Sequence, residues 1–127
     1  MNLHEYQGKE LLASFGVTVQ RGIVAKTVSE AMSAGKELSK STGSNWYVIK
    51  AQIHAGGRGK GGGVKLAKTS DELEKIAGEI LGMQLITPQT PKEGKKVNQV
   101  LIAEDVYYKG KSEPSEYYIS VLLNRGS

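Results

Sequence analysis

Residues 55 to 63 read Ala55-Gly56-Gly57-Arg58-Gly59-Lys60-Gly61-Gly62-Gly63, and six of the eight positions from 56 to 63 are glycine. Ordering such a run costs conformational entropy. It makes sense where backbone amides must come close to a ligand, since successive amides in mixed left- and right-handed conformations form an anion-binding concavity. Arg58 and Lys60 add charge suited to phosphate. The run is bracketed by two β-branched candidate strands, Trp46 to Gln52 before it and Val64 to Ala67 after it. Strand, glycine loop, strand is the layout of a flap that closes over nucleotide phosphates, as the kinase glycine-rich loop does.

Other phosphate motifs fit less well. A Walker A loop needs Ser or Thr after its Gly-Lys, and Lys60 is followed by Gly61. Gly57-x-Gly59-x-x-Gly62 matches the dinucleotide fingerprint, but that fingerprint must open a helix, and a strand follows here. A whole protein kinase does not fit in 127 residues, and no HRD or DFG motif occurs. Lys50, at the end of the upstream strand beside Val48 and Ile49, needs an anionic partner or a route to water. It reads either as a phosphate ligand or as a lysine snorkelling from a strand end. For the glycine run the competing readings are a flexible linker and an RGG-like nucleic-acid segment.

Acids are less specific. Glu104-Asp105 closes the candidate strand Val97 to Glu104, and Glu116 opens another, Tyr117 to Leu123. Each reads as an acceptor for ribose hydroxyls or a base amine, or as a solvated carboxylate. The two histidines, His4 and His54, are separate in sequence. His4 reads as a first-turn surface residue, and His54 as a structural residue or a phosphate contact beside the flap.

Three segments have amphipathic helical spacing, each opened by a capping-box pattern: Asn2 with Glu5, Thr27 with Glu30, and Thr69 with Glu72. The first helix is expected over Leu3 to Ser14, with Leu3, Leu11, Leu12 and Phe15 inward and Gly16 as a left-handed stop. The second, Val28 to Ser39, places Val28, Ala31, Met32, Gly35 and Leu38 on one stripe. The third carries Leu73, Ile76, Ala77, Ile80 and Leu81 at i, i+3, i+4, i+7 and i+8, with Gly82 following. A fifth candidate strand is Thr18 to Val24, while Thr87 to Lys96 and Tyr108 to Ser115 read as connections. Strands alternating with helices predict an α/β or α+β layer, with helices packed on a sheet.

Composition narrows the function classes. With 127 residues, 24% charged and 39% hydrophobic, the chain can bury a core of its own. No cysteine means no disulfide, thiolate nucleophile or zinc ribbon. No apolar run approaches the ~20 residues of a membrane span, and the opening residues lack a signal or transit pattern. Those features predict a cytoplasmic protein. The net charge of +4 is mostly dispersed, but Lys50, Arg58, Lys60, Lys65 and Lys68 cluster without an intervening acid. The sequence stops just after an apolar strand, which predicts a piece of a longer chain.

Three blocks carry a resemblance: Met1 to Gln7 with Lys9 to Leu12, Val48 to Lys65, and Val97 to Glu104. They resemble the β subunit of succinyl-CoA synthetase (succinate–CoA ligase) along essentially the whole chain. The resemblance implies an ATP-grasp nucleotide-binding region of α/β (α+β) class, with helices packed on a mixed sheet, as an incomplete fragment. In domain terms, about 20–104 would be a first subdomain, 1–19 and 105–127 would begin a second, and the CoA-ligase domain would lie elsewhere. Carried over residue by residue, the family's nucleotide contacts fall on Lys50, on Gly57, Arg58 and Gly59, on Glu104, on Tyr107 by ungapped counting, and on Glu116. The stretch from Val106 to Pro114 is longer than the family's usual connection, so Glu116 is matched through the apolar strand after it.

The family reaction reversibly couples succinyl-CoA hydrolysis to ATP or GTP synthesis in the citric acid cycle, through a phosphohistidine on the partner α subunit. The resemblance therefore implies a ligase acting with that subunit in a heterodimer or heterotetramer, with Mg2+, CoA and succinate. It places no catalytic residue and no magnesium ligand in this stretch, and implies neither nucleic acid nor membrane as a partner. A malate–CoA ligase β subunit shares nearly the same opening, and a basic glycine-loop nucleic-acid module is the alternative of a different class. Gln20 falls at a position near the base that tends to be Pro in ATP-preferring members.

Overall fold

A computed structural model describes residues 2–107 and 112–126. Its elements are α1 (Glu5–Ser14), β1 (Gly22–Ala25), α2 (Val28–Thr42), β2 (Tyr47–Ala51), β3 (Val64–Ala67), α3 (Ser70–Ile80), β4 (Gln84–Leu85), β5 (Lys95–Lys96) and β6 (Val100–Glu104). Helices α2 and α3 start where their sequence says. The Thr27 hydroxyl accepts from the Glu30 amide at 3.1 Å, and the Thr69 hydroxyl accepts from the Glu72 amide at 3.1 Å. Each acid reaches back in turn: the Lys26 amide donates to Glu30 and the Lys68 amide to Glu72, both at 2.7 Å. Two free amides are thereby satisfied at each helix start. Helix α2 runs to Thr42, three residues beyond the expected stop, and Gly43 caps it in a left-handed conformation.

Four strands form one sheet in the order β1-β6-β2-β3, and its ladders are antiparallel throughout. Strands β1 and β2 run the same way with β6 inserted between them, and α2 makes the crossover. Helices α2 and α3 cover one face. There Tyr47, Ile49, Ala51, Ala67, Val100 and Ile102 meet Ala31, Leu38, Leu73, Ala77 and Ile80 in a single buried core. The alternation of the ladder sends Val48 and Lys50, with their partners Ala103 and Leu101, to the opposite face. That face receives α1.

Five expectations need correction. The first helix begins at Glu5 with His4 as N-cap, whose amide donates to Gln7 Oε1 at 2.9 Å, so Asn2 is not the cap. Its apolar residues do not point inward: Leu3, Leu11 and Leu12 are largely exposed and Phe15 is 80% exposed, and no α1 residue is buried. Tyr6, Lys9, Glu10 and Ala13 face the sheet instead, because the groups awaiting α1 there are charged and amide side chains. Strand β1 starts at Gly22, not Thr18. Ahead of it Arg21 still bonds to Glu104: the Glu104 amide donates to the Arg21 carbonyl at 3.0 Å, and the Arg21 amide donates to the Glu104 carboxylate at 2.9 Å.

Within the expected connection Thr87 to Lys96, Lys95 and Lys96 pair with Gln84 and Leu85 in a two-residue antiparallel ladder. Finally, Tyr117 to Leu123 carries no ladder and its side chains are exposed. An apolar strand without a neighbour has nothing to pair with or bury against. Part of the second expected connection, residues 108–111, lies outside the described residues.

Candidate nucleotide-phosphate site

The glycine run closes a hairpin. Lys50 pairs with Val64 across the β2–β3 ladder, and the Ala51 amide donates to the Gly63 carbonyl at 2.7 Å. Between them the loop makes its own turns. The amides of Lys60 and Gly61 donate to Gly57, that of Gly62 to Gly59, and that of Gly63 to Arg58. Gly57 and Gly62 have φ of +73° and +83°, which side chains rarely adopt.

Much of the glycine content answers to packing, not to a ligand. A Cβ on Gly63 would stand 2.6 Å from Leu85, and one on Gly56 would collide with Gln89, whose Oε1 accepts from the Gly56 amide at 2.9 Å. The β4–β5 hairpin is thus the floor on which the loop rests. Gly59 differs, with nothing within 4 Å of its Cβ position. Among the described residues, the amides of Gly57, Arg58 and Gly59 donate to nothing. Three consecutive amides without an internal acceptor are donors that an anion can use.

Arg58 does not splay outward. Its Nη1 donates to the Ala51 carbonyl at 2.8 Å, and its Nη2 lies 2.8 Å from Glu5. That inward, doubly held guanidinium is unlike the exposed arginine of an RGG-type segment. Glu5 also lies 3.0 Å from Lys50 Nζ and 3.2 Å from Lys9 Nζ. Both ammonium groups further donate to Gln20 Oε1, each at 2.9 Å, and Gln20 Nε2 donates to the Glu104 carbonyl. The Tyr6 amide donates to Gln52 Oε1 at 3.2 Å, and Gln52 Nε2 reaches Glu5 at 3.4 Å.

One carboxylate therefore faces three cations, which leaves two positive charges in excess. Burial pushes the Glu5 carboxyl up, but hydrogen bonds and charge from Lys50 and Arg58 outweigh it and hold the group at about 2. Burial and the neighbouring Lys50 charge push Lys9 down, against the pull of Glu5. Beside this cluster, a cavity of about 470 Å³ opens between α1 and the sheet, with Tyr6, Gln20, Val24 and Leu101 in its lining.

Lys50 and Arg58 are brought together through Glu5, with Gly57 and Gly59 flanking Arg58 in the loop, whereas Glu104 pairs with Tyr47 at the end of β2 away from the loop, and it is its main-chain carbonyl that Gln20 links to Lys50. Tyr107 and Glu116 are not brought to this cluster: both are exposed, and among the described residues Tyr107 bonds locally, its amide to Asp105 at 3.0 Å. Sequence reasoning missed Glu5 and Lys9 as members, having read Glu5 as a capping acid. The available signal was the demand of a strand lysine for an anion. The histidines are not separate either: the rings of His4 and His54 stack at 3.9 Å. Burial, then the charges of His54 and Arg58, push His4 below its ordinary value. No group of three or more His, Asp or Glu gathers among the described residues, and the Glu5 oxygens are already occupied by cations. No helix among the described residues is long and apolar enough to cross a membrane.

Residues 2–127 match the family described as the ATP-grasp domain. The chain is 71% identical over all its 127 residues to the ADP-forming succinate–CoA ligase subunit beta of Flavobacterium johnsoniae, covering 32% of that protein. It is 68% identical to the protein of the same name from Christiangramia forsetii, again covering 32%, and 53% identical to that of Bordetella pertussis, covering 31%. Both of these alignments also span the whole of this chain. The chain thus spans about a third of the length of the curated relatives it matches. A glycine-loop hairpin with a strand lysine, on an α+β layer matched over nearly every residue, makes this chain a member of the ATP-grasp domain family.

Proposed function

We propose that this stretch is the nucleotide-binding part of a β subunit of succinate–CoA ligase, an acid–thiol ligase that acts with an α subunit. The observation that carries the reading is the run of free amides at Gly57, Arg58 and Gly59, above a corner with two positive charges in excess. Relatives named for that enzyme, matched over the whole chain, support the choice of reaction. They also favour succinate over malate as the acid.

The division of labour follows from charge. Lys50, Arg58 and the loop amides neutralise the phosphates of ATP or GTP, and such preorganised donors stabilise charge that develops during phosphoryl transfer. Glu104 is proposed as the acceptor for the sugar or base on the family resemblance; its carboxylate accepts from the Arg21 amide at 2.9 Å. The cavity beside Gln20 suits a base. Tyr107 and Glu116 are proposed contacts on the family resemblance alone. Magnesium, when bound, supplies charge compensation at the phosphates through residues outside this stretch. The phosphohistidine, CoA and succinate sites likewise belong to other parts of a cytoplasmic αβ enzyme of the citric acid cycle.

The exposed apolar residues of α1 and of Tyr117–Leu123, set against the closed core of residues 22–104, support a division. About 20–104 form one subdomain, and 1–19 with 105–127 begin another.

The test uses the complete αβ enzyme with Lys50→Ala in the β subunit. Nucleotide affinity is expected to fall about 10- to 100-fold, the scale of one charge-assisted hydrogen bond, with the melting temperature little changed. Unchanged affinity would refute the phosphate assignment. Succinate-dependent CoA ligation by the unsubstituted enzyme tests the reaction, and a preference for malate would refute succinate.

A further inference from the structure

Helix α1 is held to the sheet in an unusual way. None of its residues is buried, and its attachment runs through polar contacts: Glu5 to Lys50 and Arg58, Lys9 to Gln20, and the Tyr6 amide to Gln52. The cations that hold α1 are therefore the same ones that face an incoming phosphate. Glu5 stands where an anion is wanted and supplies one negative charge to three positive ones. A polyphosphate carries more charge than one carboxylate and can also take the free amides of residues 57–59, which Glu5 does not reach. The two anions compete for Lys50 and Arg58.

We propose that Glu5 is a displaceable internal counter-anion of the phosphate site: it occupies Lys50 and Arg58 while the site is empty, and an arriving polyphosphate takes both cations from it. This rests on the phosphate reading of the hairpin given above. Displacement loosens the first turn of α1 from the β2–β3 hairpin, so nucleotide occupancy and the docking of α1 are coupled. The coupling is reciprocal, as any linkage is: whatever holds α1 down weakens polyphosphate binding. The lowered pKa of the carboxyl accords with this arrangement, because Glu5 stays charged, and stays a competitor, throughout the neutral range.

Glu5→Gln in the complete αβ enzyme removes the competing charge and keeps the side chain's size. Titrated calorimetrically with inorganic tripolyphosphate, the variant is expected to bind about three- to tenfold more tightly than the unsubstituted enzyme. Unchanged binding would overturn the proposal. Weaker binding would overturn it too, because it would make Glu5 a group that orients the lysine. Lys50→Ala, titrated alongside, separates the two levels. If it binds tripolyphosphate as well as the unsubstituted enzyme, the phosphate reading itself fails.

Should Glu5→Gln not fold, the unsubstituted enzyme still decides the matter in a crystal structure with a non-hydrolysable triphosphate. Lys50 on the phosphate with Glu5 more than about 4 Å away, beyond ion-pair range, supports displacement. Lys50 on the phosphate with the Glu5 pair intact refutes it. Lys50 away from the phosphate removes the phosphate reading and the proposal together.

Discussion

Gly61 lies directly against the backbone of Ile86: a Cβ on it would stand 2.5 Å from the Ile86 carbonyl oxygen and 2.8 Å from Leu85 Cδ1. The contact joins the glycine loop to the β4–β5 hairpin, and a carbonyl cannot swing aside as a side-chain tip can. Gly61→Ala is therefore expected to destabilise the β subunit by about 1–3 kcal/mol, the usual range for overpacking. Gly59→Ala, in open space, is expected to change stability by no more than about 0.5 kcal/mol. It should nevertheless weaken nucleotide binding, since its methyl would stand beside the free amides. Denaturant midpoints and nucleotide titrations on both variants check this. Equal destabilisation by the two would contradict the packing account.

Glu5 makes acid stability measurable. Its folded pKa is about 2 against an ordinary 4.5, so its contribution is complete above pH 4.5 and is lost as pH falls through about 2. Urea midpoints of the β subunit and of Glu5→Gln should differ by a constant amount above pH 4.5 and converge as the pH falls toward 2. A gap that persists unchanged to the lowest pH would mean that the carboxylate charge contributes nothing.

His4 should act in a higher window. Its folded pKa lies below 6.5, so the native state binds its proton less readily than the unfolded chain does. Stability associated with His4 is then complete above pH 6.5 and declines as pH falls through the depressed value. His4→Asn removes the ring and its titration while keeping a good N-cap side chain. The slope of stability against pH below 6.5 should be shallower in the variant. An identical slope would assign the titration to another group.

The threonine caps set the starts of α2 and α3. Thr27→Ala or Thr69→Ala deletes an acceptor for a helix amide and is expected to cost about 1 kcal/mol each. Thermal melts of the two variants should show similar losses. No loss at either would mean that the reciprocal bonds from Glu30 or Glu72 suffice alone.

Legibility differed sharply between parts of the chain, and the reason is distance along it. The caps, the 3.6-residue spacing of α3, and the two strands bracketing the glycines are short-range signals, so α2, α3 and the β2–β3 hairpin were readable. Helix α1 was readable as a helix, but the face it docks with was not, because its apolar pattern points away from the sheet it lies on, while its polar residues do the docking. The ladder of β4 and β5 is two residues long, too short to leave a periodicity.

From its sequence alone, then, the chain determined an α+β layer carrying a basic glycine hairpin with a lysine at its base. Capping, periodicity and turn chemistry act within a few residues, and those are local instructions. Only the tertiary structure decided what surrounds that lysine. Glu5 stands 45 residues from Lys50, Gln20 stands 30 residues from it, and the glycines rest on Leu85 and Ile86. Which charges neutralise one another, and which amides are left free, follows from β6 closing between β1 and β2 and from α1 settling on the face opposite the core. Those are contacts between distant residues, and no local pattern encodes them.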